Sequence, residues 1–224
     1  MGLSIVVFVP DGVVMASDSI AEMHNQKEDN GFLHTKQKVI FSHPQGYLIC
    51  TPNAGYVNGL PFSYYLHHAM HMIHSSTNLE DFCNKLLQAF ADMKVAKENI
   101  VLYVAGVNER NEVIVNLIDK DKIDRINRSN DGHSVYNYHA IGRTLWLDKI
   151  LLPTTYNIGN ETLDFQDTDI DFSKYSLSDA IDFSTFIIKT SYQLDRFAQF
   201  KQMVGENISW ATLSLDGEIT KSTK

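Results

Sequence analysis

Cysteine is scarce in this chain: Cys50 and Cys83 are the only two in 224 residues. They are too few and too far apart in sequence for a disulfide framework or a zinc knuckle, so both read as small core residues. Long apolar runs are also missing. Near the start the longest is Ile5 to Val9, far short of the roughly 20 residues a membrane helix needs. No basic stretch accompanies Met1-Gly2-Leu3-Ser4, and Val6 departs from the myristoylation pattern, so the expectation is a cytoplasmic protein with no membrane partner. Basic residues are outnumbered, 19 Lys and Arg against 27 Asp and Glu, for a net charge of -8. Without a Lys/Arg stripe, nucleic acid is excluded as a partner, because phosphate contacts dominate that kind of binding. There is no internal repeat and no low-complexity tract.

What remains is a globular composition, 44% hydrophobic and 21% charged, read as a single domain over residues 1–224. Ile5–Val9, the turn Pro10-Asp11-Gly12 and Val13–Ala16 predict an opening hairpin, and residues 38–41 and 47–51 around Pro44-Gln45-Gly46 a second one. Ser19 to His34 reads as a loop. Apolar spacings of three and four predict helices over 61–74 and 79–93, the second capped by Asn78 and burying Phe82, Leu86, Leu87 and Phe90. Strands are predicted over 100–106, 112–118 and 134–141, and a short helix over 144–152 that stops at Pro153. Residues 154–176 read as a long polar connection. Residues 177–202 form the longest helical pattern, its apolar face traced by Ala180, Ile181, Phe183, Phe186, Ile187, Thr190, Tyr192 and Leu194. Strands at 208–213 and Ile219, with a turn at Asp216-Gly217, close an α/β (α+β) layered fold.

One segment carries chemistry. Gly12-Val13-Val14-Met15-Ala16-Ser17-Asp18-Ser19 is followed by Thr35-Lys36-Gln37-Lys38-Val39-Ile40 and then Asn53-Ala54-Gly55. In these motifs the chain resembles the proteasome β-subunit family of N-terminal nucleophile (Ntn) hydrolases, in wording closest to the bacterial Anbu-type branch. The likeness extends weakly through Ala140-Ile141-Gly142 and the last strands around Trp210 and Asp216-Gly217. It implies a four-layer αββα sandwich, a homo-oligomer built as a ring or helical stack, and a peptide or protein substrate. It implies no cofactor and no metal.

In such a hydrolase an N-terminal residue supplies both the hydroxyl nucleophile and, through its free α-amine, a general base with an unperturbed pKa of about 7.7–8. A lysine beside the hydroxyl, an aspartate orienting that lysine and a glycine N–H for the oxyanion complete the site. The resemblance assigns these three roles to Lys38, Asp18 and Gly55. The family's nucleophile position falls on Gly2, which has no side chain to attack with. The family's glycine-serine turn puts Arg143 where the serine stands, and Val204-Gly205 is the nearest match to its later Ser-Gly pair. Ser4 becomes the nucleophile if Met1 to Leu3 are removed. Read without the family, Asp18 and Lys38 form a structural ion pair.

His67, His68, His71 and His74 crowd one predicted helix, with 67, 71 and 74 on one face. With no glutamate in an H-E-x-x-H position, these are read as partly buried histidines facing a neighbour or subunit rather than as a metal site. Tyr64, Tyr65, Phe183, Phe186 and Phe200 are read as core or interface aromatics, and Trp146 and Trp210 as core. Two functions follow: a peptide or amide hydrolase acting in an oligomeric chamber, or a catalytically silent scaffold or binding subunit.

Overall fold

The computed structural model describes residues 2–18, 20–21, 35–36, 39–52, 55–151, 155–158, 161–164, 170–198 and 204–222. The fold is mixed α+β, built around two antiparallel sheets. The opening hairpin forms as predicted, β1 (Leu3–Val9) with β2 (Gly12–Asp18), turning at Pro10-Asp11. Part of the predicted loop is paired instead: the backbone of β3 (Ile20–Ala21) bonds to β4 (Thr35–Lys36). The second hairpin is β5 (Ile40–His43) and β6 (Tyr47–Cys50). A two-residue ladder, β7 (Tyr56–Val57) with β8 (Leu60–Pro61), leads into α1 (Phe62–Met72) and α2 (Leu79–Asp92). Asn78 caps α2 as expected, accepting the Asp81 N–H at 2.9 Å. Phe82, Leu86 and Phe90 are fully buried, while Leu87 is partly so.

Strands β9 (Val101–Val107) and β10 (Val113–Asp119) follow, then β11 (Lys122–Arg125), a charged strand at the sheet edge whose Lys-Ile-Asp-Arg sequence gave no strand signal. Next come β12 (Tyr138–Gly142) and α3 (Leu145–Leu151). Inside the predicted polar connection, β13 (Thr155–Ile158) pairs with β14 (Glu161–Asp164). The Gly-Asn pair between them in sequence is the composition two-residue hairpin loops favour. The chain ends with α4 (Leu177–Phe197), β15 (Ile208–Ser214) and β16 (Ile219–Lys221).

One sheet has the order β12-β1-β2-β15-β16 and the other β11-β10-β9-β6-β5. Side-chain alternation sends each central strand into two cores. Val6 and Phe8 of β1, Met15 of β2, Ala211 and Leu213 of β15, Leu48 and Cys50 of β6, and Tyr103 and Ala105 of β9 share one apolar cluster. Leu3, Ile5 and Val7 point the other way, into a cluster with Leu147 of α3 and Ala180, Ile187 and Ile188 of α4. Ile49, Leu102 and Val104 join Leu66, Phe82, Leu86 and Phe90 of α1 and α2 in a third. Both strands of the first hairpin are therefore buried along their whole length, with no polar face.

The face of α4 differs from the one predicted. Phe186 is 55% exposed, and the buried residues are Ala180, Ser184, Ile187, Ile188, Ser191 and Asp195. These six recur at steps of three and four, whereas the predicted set wandered around the helix because hydrophobicity alone cannot flag a buried serine or carboxylate. Trp146 and Trp210 are half-buried rather than core, and the Trp146 indole N–H reaches a polar partner. Tyr65 is buried and Tyr64 half exposed; Phe200 lies outside the described residues. Cys50 and Cys83 are free and buried, as expected. Among the described residues no helix is long and apolar enough to cross a membrane.

Candidate functional site

Three of the predicted site residues, Gly2, Ser4 and Asp18, meet at one end of the first sheet, where β1 starts and β2 stops. Pairing of Ser4 with Ser17 and of Leu3 with Gly142 brings β1, β2 and β12 to the same edge. Asp18, 2% exposed, closes this end. Its Oδ1 accepts the Leu3 N–H at 3.0 Å and its Oδ2 the Gly205 N–H at 2.5 Å. Burial is the dominant influence on this carboxyl and pushes its pKa up to about 7, although both backbone N–H donors act to lower it. Asp18 is thus a group poised to gain or lose a proton at neutral pH.

Gly2 is buried with its backbone against β12: its carbonyl accepts the Arg143 N–H at 2.9 Å. A Cβ placed on Gly2 would collide with the Asp18 carboxylate, which fills the space a side chain would take. Gly142 pays for the close approach on the other side. It has φ +113°, and a Cβ there would meet the Gly2 carbonyl oxygen, so a larger residue fits neither the dihedral nor the space.

Ser4 is completely buried inside β1. Its hydroxyl lies 2.6 Å from that of Ser17, which donates to the Asp18 carbonyl at 3.0 Å. The Cys50 thiol of the other sheet also meets the Ser4 hydroxyl, and burial pushes that thiol up to about 12, which leaves it inert as a nucleophile. Ser4, Ser17 and Cys50 form a polar seam between the two sheets.

Gly55 directly precedes β7. The β7–β8 ladder intervenes in sequence between Gly55 and α1. The Gly55 carbonyl accepts the N–H of Phe62, the first residue of α1, at 2.8 Å. Among the described residues no hydrogen bond ties Gly55 to Gly2, Ser4 or Asp18. Lys38, predicted to pair with Asp18, lies outside the described residues. Its neighbour Val39 accepts the Thr51 N–H at 2.8 Å, at the end of the second sheet next to Cys50.

Sequence reasoning missed a second buried carboxylate, Asp195 of α4. It accepts the Trp146 indole N–H at 2.8 Å and the Val204 N–H at 3.2 Å, and the Arg143 guanidinium lies 3.8 Å away. Val204 and Gly205 are consecutive, so one dipeptide bridges Asp195 to Asp18. The signal that would have found Asp195 is its place four residues after Ser191 and eight after Ile187 on one helical stripe.

The clustered histidines are not buried by the rest of this chain. His67, His68, His71 and His74 are all exposed, and α1 ends at Met72, so His74 is not on the helical face with 67 and 71. A cleft of about 230 Å³ opens at the far end of the first hairpin, lined by Phe8, Pro10, Glu112, Asn127, Ser134 and Tyr136 among others. It is remote from Asp18. No family model matches the chain and no curated protein aligns with it, so the reading of this end of the sheet rests on its geometry.

Proposed function

We propose that this chain is a proteasome-like subunit with the four-layer αββα sandwich of the Ntn hydrolases, acting as a catalytically silent scaffold or binding member of a cytoplasmic homo-oligomer. The layering is supported by two five-stranded sheets that share one apolar cluster, with helices α1 and α2 joining the outer cluster of one sheet and α3 and α4 that of the other. The observation that carries the silent reading is at Gly2. The position assigned to the nucleophile has no side chain, and the space for one is taken by an Asp18 carboxylate already holding two backbone amides.

The hydrolase reading is favoured by a different observation, the gathering of Ser4, Ser17 and Asp18 within one hydrogen-bonded group. Removal of Met1 to Leu3 would free Asp18 Oδ1 and give Ser4 an α-amine, the two things an N-terminal serine nucleophile needs for peptide or amide hydrolysis. The two readings separate in one experiment: N-terminal sequencing and intact mass of protein from its native host, before and after incubation with a peptide electrophile that acylates N-terminal nucleophiles. A chain that retains Gly2 and gains no mass supports the scaffold. A chain that begins at Ser4 and carries one adduct replaces it with a serine-dependent hydrolase.

A further inference from the structure

We propose that His67 and His71 form a two-point site for one divalent transition-metal ion on the outer face of α1. The buried face of this helix is Phe62, Tyr65, Leu66, Ala69 and Met70, which turns Tyr64, His67, His68, His71 and Met72 outward. Residues four apart occupy successive turns of one stripe. Here the His67 and His71 rings stand 5.1 Å apart between centroids, at 28° to one another. That spacing lets one ion take a nitrogen from each ring. Imidazole suits copper, nickel and zinc, and among these copper(II) binds a given nitrogen site most tightly.

The neighbouring histidines do not share the site. His68 stacks on Tyr64, with centroids 5.7 Å apart. His74 follows the extended C-cap residue Ile73 and is off the stripe. His43, which interacts with His71, is 7% exposed, and its Nδ1 already accepts the Gln45 N–H. Among the described residues no group of three or more histidine, cysteine or acidic side chains gathers to hold a metal. Water therefore completes the coordination, and the site stays open to exchange.

The helix itself gains from such a clamp. No side chain caps its N-terminus, and its first turn carries no acidic residue, so α1 lacks two of the usual supports of a helix start. An ion tied to residues 67 and 71 links successive turns, and binding to the folded form raises the melting temperature by mass action.

The test is copper(II) titration of the intact chain at pH 7.5, followed by electron paramagnetic resonance and thermal melting. One ion should bind with a signal split by two imidazole nitrogens and raise the melting temperature. Both effects should vanish in His67→Ala and in His71→Ala and persist in His68→Ala and His74→Ala. All four positions are exposed, so the variants keep the fold. A two-nitrogen signal that survives in His67→Ala or His71→Ala, or that is lost in His68→Ala, overturns the proposal.

Discussion

Asp18 and Asp195 are buried carboxylates that hold consecutive amides of one dipeptide, yet their surroundings differ. Asp195 sits at the α3–α4 seam with an indole N–H and a guanidinium as further partners. The hydrogen bonds that reach the Asp18 side chain, among the described residues, come from backbone amides alone. Partners with positive charge or a strong dipole turn a buried carboxylate into a fastener. Amides alone leave it subject to the cost of desolvation, and its acidity falls. The second arrangement suits a group that changes protonation state.

The comparison is broken most severely by Asp195→Ala. Trp146 and Val204 would each lose an acceptor and Arg143 a nearby negative charge inside the protein, and urea unfolding should register a loss of about 3–5 kcal/mol. Asp18→Asn probes pH instead. The folded pKa of about 7 lies above the ordinary aspartate value of 3.8, so between these values the folded state holds more protons than the unfolded one. The contribution of Asp18 to stability is therefore fully present below about pH 4 and lost as pH rises through 7. Urea midpoints at pH 4, 5.5 and 7 should show the wild-type advantage over Asp18→Asn shrinking across that window. A difference that stays constant or grows would mean that Asp18 titrates as an ordinary carboxylate. The smallest change is Gly2→Ala. Its methyl group displaces the Asp18 carboxylate from the Leu3 N–H, at a cost of about 1–3 kcal/mol in the same assay. A neutral result would show room for a side chain at position 2 and remove the main support for the silent reading.

The hairpin and the helix pair were legible because their signals are local: a Pro-Asp-Gly turn between apolar runs, and an Asn cap before a clear stripe. β11 was not, since a charged edge strand draws its stability from the neighbouring strand rather than from its own residues. Asp18 was legible through its motif, but the motif could not say that the carboxylate fills the space beside Gly2, which depends on the packing of β1 against β2. Asp195 was invisible for the opposite reason. On a helix a carboxylate reads as solvent-facing unless the partners that accompany it are known, and these come from residues 143, 146 and 204. The histidines, read as facing a neighbour or subunit, are exposed on the chain itself.

The position of β15 between β2 and β16 has a consequence for how the protein is made. β2 pairs with a strand near the far end of the chain, and the Asp18–Gly205 bond spans 187 residues. As the chain leaves the ribosome, the opening hairpin carries a bare, apolar edge until residues 208–214 have been synthesised. Folding of this sheet is thus expected to be slow and late, and the nascent hairpin is the segment most in need of a chaperone.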